Sequence, residues 1–266
     1  MNARAVSYYC TAGGCLVCKR HGDLCPKRAY ETASTIVQWP FDMLSFSFKP
    51  EAIIFDFDGV VADSETLANT LLAAFLTEEG LPTRYEDALD RYKGRRWSDV
   101  AALIGADLGM TIDETFRERY RAFSRGRMRE EVGPVPGVDH FLQRRGDLKL
   151  GVASSSNPEW LAHCVTKFDF GRHFGRHLYS ATAVERGKPA PDIFLHAADG
   201  LNVAAPRCIV IEDSPAGIVG ARAADMVAIG FVGASHARAS DRDKLLEAGA
   251  HAVVASYDEL DALLLR

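Results

Sequence analysis

The stretch FDFDGVVADSE, residues 55–65, decides the fold of this chain. The four residues 52–55 are apolar, which predicts a short strand buried on both faces of a parallel sheet. Asp56 and Asp58 follow where this strand ends, and Gly59 permits a sharp turn. Because side chains alternate along a strand, we expect both carboxylates to project to one side. Two unneutralised carboxylates about 4 Å apart repel by about 4 kcal/mol, so the pair predicts a bound cation, Mg²⁺ being the natural candidate.

The composition is that of a globular protein with a substantial core. The chain has 266 residues, of which 47% are hydrophobic, so one large or two modest domains are expected. Its 31 Lys and Arg are outnumbered by 36 Asp and Glu, whereas nucleic-acid binders carry a basic face. No uncharged apolar run reaches the roughly 18 residues of a membrane span. We therefore predict a cytoplasmic protein with neither nucleic-acid nor membrane partners, and leave its oligomeric state open between monomer and weak dimer.

Residues 1–49 differ from the rest and are predicted to be a disordered N-terminal extension. Their cysteines provide only one Cys-x2-Cys pair, which disfavours the alternative of a zinc site. Charged residues interrupt the segment before an apolar core of about 7 to 15 residues develops, which argues against a secretory signal. We expect the native polypeptide to begin at Met43, and deletion of residues 1–42 to leave activity nearly unchanged. The residues concerned in the zinc alternative are Cys10, Cys15, Cys18, Cys25 and His21.

Hydrophobic periodicity divides the remaining chain into a helical segment and a βα alternation. Residues 67–136 repeat apolar positions at three- and four-residue spacing and show no strand pattern, which predicts an inserted α-helical cap domain. Strands and helices then alternate to the end of the chain. This pattern predicts an α/β fold, a Rossmann-like doubly wound parallel sheet built from residues 50–66 and 137–266. Ligands of such sheets bind beyond the carboxyl ends of the strands.

Three further motifs fall at predicted strand ends. Ser154 follows an apolar run and offers a hydroxyl to an anion. Lys188 precedes Pro189, which favours an extended backbone for the lysine. Glu212 and Asp213 end another apolar run, and adjacent acids repel unless a cation is bound. We expect all these side chains to meet at one edge of the sheet.

A cationic turn interrupts the predicted cap. It reads Lys93-Gly94-Arg95-Arg96 and lies between two predicted helices. Two interpretations stay open: a solvated turn, or a loop that contacts an anionic or hydroxylated part of a substrate.

Taken together, the motifs resemble those of the haloacid dehalogenase-like hydrolase superfamily. The resemblance covers about residues 50–266 and is to the branch with an α-helical cap, which includes β-phosphoglucomutase and many sugar phosphatases. The residues that carry it are Asp56-Phe57-Asp58-Gly59, Asp63-Ser64-Glu65, Ser154, Lys188-Pro189-Ala190-Pro191 and Glu212-Asp213.

The resemblance implies a role for each motif. Asp56 is implied as the nucleophile and Asp58 as the acid and base, while Ser154 and Lys188 bind the transferring phosphoryl group. The implied ligands of Mg²⁺ are Asp56, the backbone carbonyl of Asp58, Asp213 and Glu212, the last directly or through water. The substrate-binding residues implied are Ser64, Ser154, Lys188, Lys93, Gly94 and Arg96.

These roles predict a Mg²⁺-dependent phosphatase that hydrolyses a small phosphate monoester, above all a sugar phosphate, through an aspartyl-phosphate. The nearest alternative is a sugar phosphomutase of the β-phosphoglucomutase type. Mutases of this branch tend to carry a histidine in the helix after the first motif, and residues 65–72 contain none. A more remote alternative is a non-catalytic binding protein on the same scaffold. Carbon–halogen chemistry is disfavoured because dehalogenases typically lack an acid at the position of Asp58.

Overall fold

The computed structural model describes residues 10–11, 14–15, 49–92 and 97–264. Residues 1–41 and residues 42–266 form two units. In the first unit, strands β1 (Cys10–Thr11) and β2 (Gly14–Cys15) pair antiparallel. The predicted disordered extension, the zinc alternative and the start at Met43 otherwise concern positions outside the described residues.

A parallel sheet forms the centre of the second unit. Its strands are β3 (Ala52–Phe55), β4 (Lys149–Ser154), β5 (Leu178–Ser180), β6 (Cys208–Glu212), β7 (Val227–Phe231) and β8 (Ala252–Val254). They lie in the order β5-β4-β3-β6-β7-β8. Every residue of β3 and β6 is buried, as expected of central strands covered on both faces. The strand order reverses between β3 and β6, and such a switch point opens a crevice at the carboxyl ends of the two strands.

Of the described helices between β3 and β4, four share a core of their own. Leu76, Ile104 and Phe116 are fully buried in this core. The helices are α1 (Glu65–Glu78), α2 (Tyr85–Tyr92), α3 (Trp97–Leu108) and α4 (Glu114–Glu131). The division into a catalytic core and a cap over residues 67–136 stays a prediction.

The remaining helices cover both faces of the sheet. They are α5 (Val138–Gln143), α6 (Pro158–Lys167), α7 (Gly171–Phe174), α8 (Asp192–Leu201), α9 (Pro215–Ala223), α10 (Ala239–Glu247) and α11 (Tyr257–Leu264). Ile53 and Phe55 of β3 belong to one buried cluster with α5, α6 and α11. Ala52 and Ile54 belong to another with α8, α9 and α10. Alternate side chains therefore face opposite layers, and the predicted doubly wound α/β fold is confirmed.

Two elements differ from the sequence prediction. Helix α5 was not predicted, because it has six residues and starts directly after Gly137, which has φ +86°. Helix α7 was not predicted either, since its four residues do not establish a helical period. Within the described ranges, no helix is both long enough and apolar enough to cross a membrane.

Candidate active site

The loop after β3 bends tightly at its glycine. The amide of Gly59 donates to the carbonyl of Ala62 at 2.8 Å, and the amide of Val61 donates to that of Phe57 at 2.8 Å. Gly59 has φ +87°, and a Cβ at this position would lie 2.2 Å from Oδ2 of Asp213. Both the backbone conformation and the close approach of a carboxylate therefore require glycine.

The end of β6 is organised around a buried carboxylate. Oε2 of Glu212 accepts hydrogen bonds from the amide of Ser214 at 3.0 Å and from its hydroxyl at 2.8 Å. The same hydroxyl caps α9 by accepting from the amide of Gly217 at 3.0 Å. A Cβ on Gly217 would lie 1.9 Å from the Glu212 carboxyl group. The sequence Ser-Pro-Ala-Gly after Asp213 thus fixes both the helix start and the acid beside it.

Lys188 joins the ends of three strands. Its ammonium donates to Oδ1 of Asp56, to Oε1 of Glu212 at 2.5 Å, and to the carbonyl of Ala153 at 3.0 Å. The Lys188–Pro189 peptide bond is cis, which the sequence did not predict. The structure therefore brings Lys188 together with two of the acids that the motifs singled out, Asp56 and Glu212.

Burial dominates the electrostatics of this group. It raises the pKa of Asp56 well above its usual range; the Lys188 ammonium opposes this rise, and the carboxylates of Glu212 and Asp213 add to it. Burial disfavours the Lys188 ammonium, but Asp56 and Glu212 outweigh it and raise the pKa of the lysine. The positive charge of Lys188 therefore does not balance the negative charge of the carboxylates around it.

The surplus of negative charge fits a divalent cation. One oxygen from each of Asp56, Glu212 and Asp213 lies within 4.8 Å of the others. Carboxylate oxygens are the ligands that Mg²⁺ prefers. A cation there would also counter the rise in the pKa of Asp56.

The carboxylate of Asp58 has a different set of partners. Its Oδ1 accepts from the hydroxyl of Ser64 at 2.6 Å and from the indole N–H of Trp160 at 3.0 Å. Its Oδ2 accepts from the hydroxyl of Ser156 at 2.5 Å. Strand β3 ends at Phe55, so the alternation of strand side chains does not extend to Asp58. The expectation that both carboxylates project to one side by strand alternation therefore has no basis in the backbone.

The other predicted residues fall in two groups. Ser154 is buried at the end of β4, where its Oγ accepts from the amide of Ser156 at 3.0 Å. Its hydroxyl proton remains available to an anion. The cationic turn comprising Lys93, Gly94, Arg95 and Arg96 lies outside the described residues.

Sequence reasoning missed three polar side chains of this region. His236 is buried after β7, and its Nε2 lies 3.1 Å from Oδ2 of Asp213. The rule that ligands bind beyond strand ends could have drawn attention to it. Ser156 and Trp160 follow β4, and the motifs in the sequence assigned neither of them a role in the site. Nothing in the sequence indicated that they contact Asp58, about a hundred residues earlier in the chain.

Comparisons with known proteins agree with this geometry. A family model described as haloacid dehalogenase-like hydrolase matches residues 53–231. The chain is 28% identical over 168 residues to 6-phosphogluconate phosphatase of Escherichia coli, covering 63% of this chain and 76% of that protein. It is 33% identical over 193 residues to β-phosphoglucomutase of Bacillus subtilis, covering 68% and 82%. A solved structure, a conserved haloacid dehalogenase-like protein of unknown function from Agrobacterium tumefaciens, is 35% identical with a TM-score of 0.74, covering 81% of this chain and 97% of its own.

Proposed function

Because the chain belongs to the haloacid dehalogenase-like hydrolase family, we propose that it is a Mg²⁺-dependent phosphatase acting through an aspartyl-phosphate. The family predicted from the motifs is confirmed, and a phosphoric monoester hydrolase is the class of enzyme that its phosphatase relatives represent. The observation that carries the proposal is the position of Lys188 between Asp56 and Glu212, beside the third carboxylate of Asp213. With a cation bound to the carboxylates, this arrangement suits the negatively charged phosphoryl group of a transition state better than a neutral ligand.

Mg²⁺ would be held by the carboxylates at the ends of β3 and β6. Asp56 and Asp213 are proposed as direct ligands, with the backbone carbonyl of Asp58. Both oxygens of Glu212 already accept hydrogen bonds within the protein, which favours a contact through water for this residue. When bound, Mg²⁺ neutralises negative charge on the phosphoryl group and on the site.

Asp56 and Asp58 divide the chemistry between them. The Asp56 carboxylate attacks phosphorus, so that a bond from Asp56 to phosphorus forms while the ester P–O bond breaks, and Asp58 gives its proton to the departing alcohol oxygen. Asp58 then takes a proton from water as the water oxygen attacks phosphorus, which releases phosphate and restores the Asp56 carboxylate. The sum is ester plus water giving alcohol plus phosphate. Lys188 and the hydroxyl of Ser154 offset the charge of the phosphoryl oxygens in both steps.

A sugar phosphate is the proposed substrate class, and helices α1–α4 are proposed to act as the cap that selects it. The similarity to 6-phosphogluconate phosphatase supports this choice, as does the cationic turn containing Lys93, Gly94 and Arg96. We propose that the enzyme acts on a small phosphorylated metabolite in the cytoplasm.

A phosphomutase is the second candidate, favoured by the identity to β-phosphoglucomutase. In a mutase the phosphoryl group passes to another hydroxyl of the sugar instead of to water. The absence of a histidine from residues 65–72 favours the phosphatase.

The test is phosphate release from a panel of phosphorylated sugars and small acids, with and without Mg²⁺. The matched control is Asp56→Asn, which keeps the size of the side chain and removes the nucleophile. Release that requires both Mg²⁺ and Asp56 is expected. Conversion of β-glucose 1-phosphate to glucose 6-phosphate without phosphate release would move the assignment to mutase. A wild-type protein no more active than Asp56→Asn would leave only a binding role.

A further inference from the structure

The indole of Trp160 contacts the proposed acid and base. Its Nε1 donates to Oδ1 of Asp58 at 3.0 Å, the oxygen that also accepts from Ser64. Ser156 occupies the other oxygen. The family motifs in the sequence do not include Trp160, and the proposed mechanism assigns it no role.

The fold holds this ring in place from several sides. The backbone amide of Trp160 donates to Oδ1 of Asn157 at 2.9 Å, which caps α6. The ring stacks on His163 with centroids 6.1 Å apart and an interplanar angle of 25°. It also packs against the buried cluster that contains Phe55. The start of α6 and the buried cluster therefore fix the direction of the indole N–H independently of its hydrogen bond to Asp58.

The three donors to Asp58 are not equivalent. A serine hydroxyl can donate or accept, whereas the indole N–H can only donate. Oδ1 therefore stays an acceptor whether or not the carboxyl group carries a proton. Ser156 can turn its hydroxyl round and accept from a proton on Oδ2.

We propose that Trp160 is a positioning residue that holds Asp58 by Oδ1 and leaves Oδ2 to pass the proton to the leaving alcohol. The inference rests on the proposed phosphatase function and goes beyond it, because it assigns the transferred proton to Oδ2 of Asp58. It also assigns the orientation of the Asp58 carboxyl group to Trp160. Ser64 supports the same oxygen, but its hydroxyl can rotate and the indole cannot.

The test compares two leaving groups. A hexose 6-phosphate needs a proton on its departing alkoxide, whereas p-nitrophenyl phosphate releases a stable phenolate without one. The quantity measured is kcat/KM, which reports the steps up to the first phosphoryl transfer. Trp160→Phe removes the N–H and keeps an aromatic ring. We expect it to lower kcat/KM about 10-fold to 100-fold for the hexose phosphate and no more than about 3-fold for p-nitrophenyl phosphate.

Three further variants make the result specific. Replacement of Trp160 by benzothienylalanine keeps the bicyclic shape and removes only the donor, and should reproduce the selective loss. Asp58→Asn should show the same selectivity with a larger loss, about 10²-fold to 10⁴-fold. His163→Leu removes the stacking partner but not the N–H, and should change both substrates alike.

The outcomes separate the inference from the function on which it rests. Equal losses on both substrates for the benzothienylalanine variant, or no loss at all, would overturn the role of Trp160 while Asp58→Asn still shows selectivity. A wild-type protein that releases no more phosphate than Asp56→Asn from either substrate would overturn the phosphatase function and this inference together.

Discussion

Replacing Lys188 with methionine should strongly destabilise the protein as well as inactivate it. The ammonium is the donor shared by Asp56 and Glu212, and it also bonds the carbonyl of Ala153. The lysine side chain is 6% exposed, and that of Glu212 is 0% exposed. Methionine fills much of the same apolar space and donates nothing, so two buried carboxylates lose their cation at once.

The size of the effect follows from this burial. Removing one partner of a buried ion pair costs about 3–5 kcal/mol. In a unit of roughly 200 residues, each kcal/mol lowers Tm by about 2–4 °C, so the expected drop is about 6–20 °C. Removing a charge that stabilises the phosphoryl oxygens should lower kcat by at least about 10²-fold.

A double-mutant cycle distinguishes lost pairing from general damage to the core. Thermal unfolding is measured in EDTA for the wild type, Lys188→Met, Glu212→Gln and the double variant. Because Glu212→Gln removes one of the stranded charges, the double variant should be more stable than the sum of the single losses predicts, by about 1–3 kcal/mol. A Tm of Lys188→Met within about 2 °C of the wild type, or strictly additive losses, would refute the reasoning.

Three other outcomes are expected. Gly217→Ala should lower Tm by several degrees because its Cβ would lie 1.9 Å from a buried carboxyl group. The control Gly126→Ala, which has open space around it in α4, should raise the free energy of unfolding by about 0.5–1 kcal/mol. A Gly217→Ala variant more stable than the wild type would contradict this prediction. Tyr257→Phe should lose about 1–2 kcal/mol at neutral pH, since it deletes a 2.8 Å bond from the Tyr257 hydroxyl to a carbonyl of the loop after β3. Burial also raises the pKa of Tyr257 well above its usual range, so the stabilising contribution of the tyrosine is complete below the unfolded pKa of about 10 and is lost as pH rises above that value. The free energy of unfolding, measured with urea at increasing alkaline pH, should therefore decline less steeply for the phenylalanine variant than for the wild type. Parallel curves for the two proteins would contradict this prediction. Removing Mg²⁺ with EDTA should lower the Tm of the wild type, because a cation that binds only the folded state contributes about 2.7 kcal/mol at 100 times its Kd. Asp213→Asn should abolish most of the difference between the Tm in Mg²⁺ and the Tm in EDTA. An unchanged difference would exclude Asp213 as a ligand.

Local sequence was sufficient where one element decides its own structure. The apolar runs of β3 and β6 predicted central strands because a strand covered on both faces has no polar side to display. Ser214 followed by Pro215 is a sequence pattern that favours a helix start, and the Ser214 side chain does cap α9. Helix α5 could not be predicted in the same way, since six residues do not establish a helical period.

In the candidate site too, some contacts follow from the sequence and others do not. Asp56, Ser154 and Glu212 lie at or directly after strand ends, and parallel strands direct their carboxyl ends to the same side, so their meeting at one edge follows from the sequence. Lys188 lies beyond the short helical turn that follows β5, so its place beside them was expected from the resemblance of its motif. Their chemical roles remain proposals. The partners of Asp58 did not follow from the sequence, because the chain leaves strand geometry after Phe55 and no local rule fixes a side chain in a loop.

The sequence by itself determined the alternation of strands and helices, the doubly wound class and the residues that the ends of β3, β4 and β6 place at the carboxyl edge of the sheet. Only the tertiary structure decided that Asp58 lies with Ser64, Ser156 and Trp160 rather than with the acid cluster, and that His236 lies against Asp213. The physical reason is the distance along the chain over which each kind of interaction acts. Periodicity and capping act over a few residues, whereas these hydrogen bonds join segments that meet only once the sheet and its helices have packed.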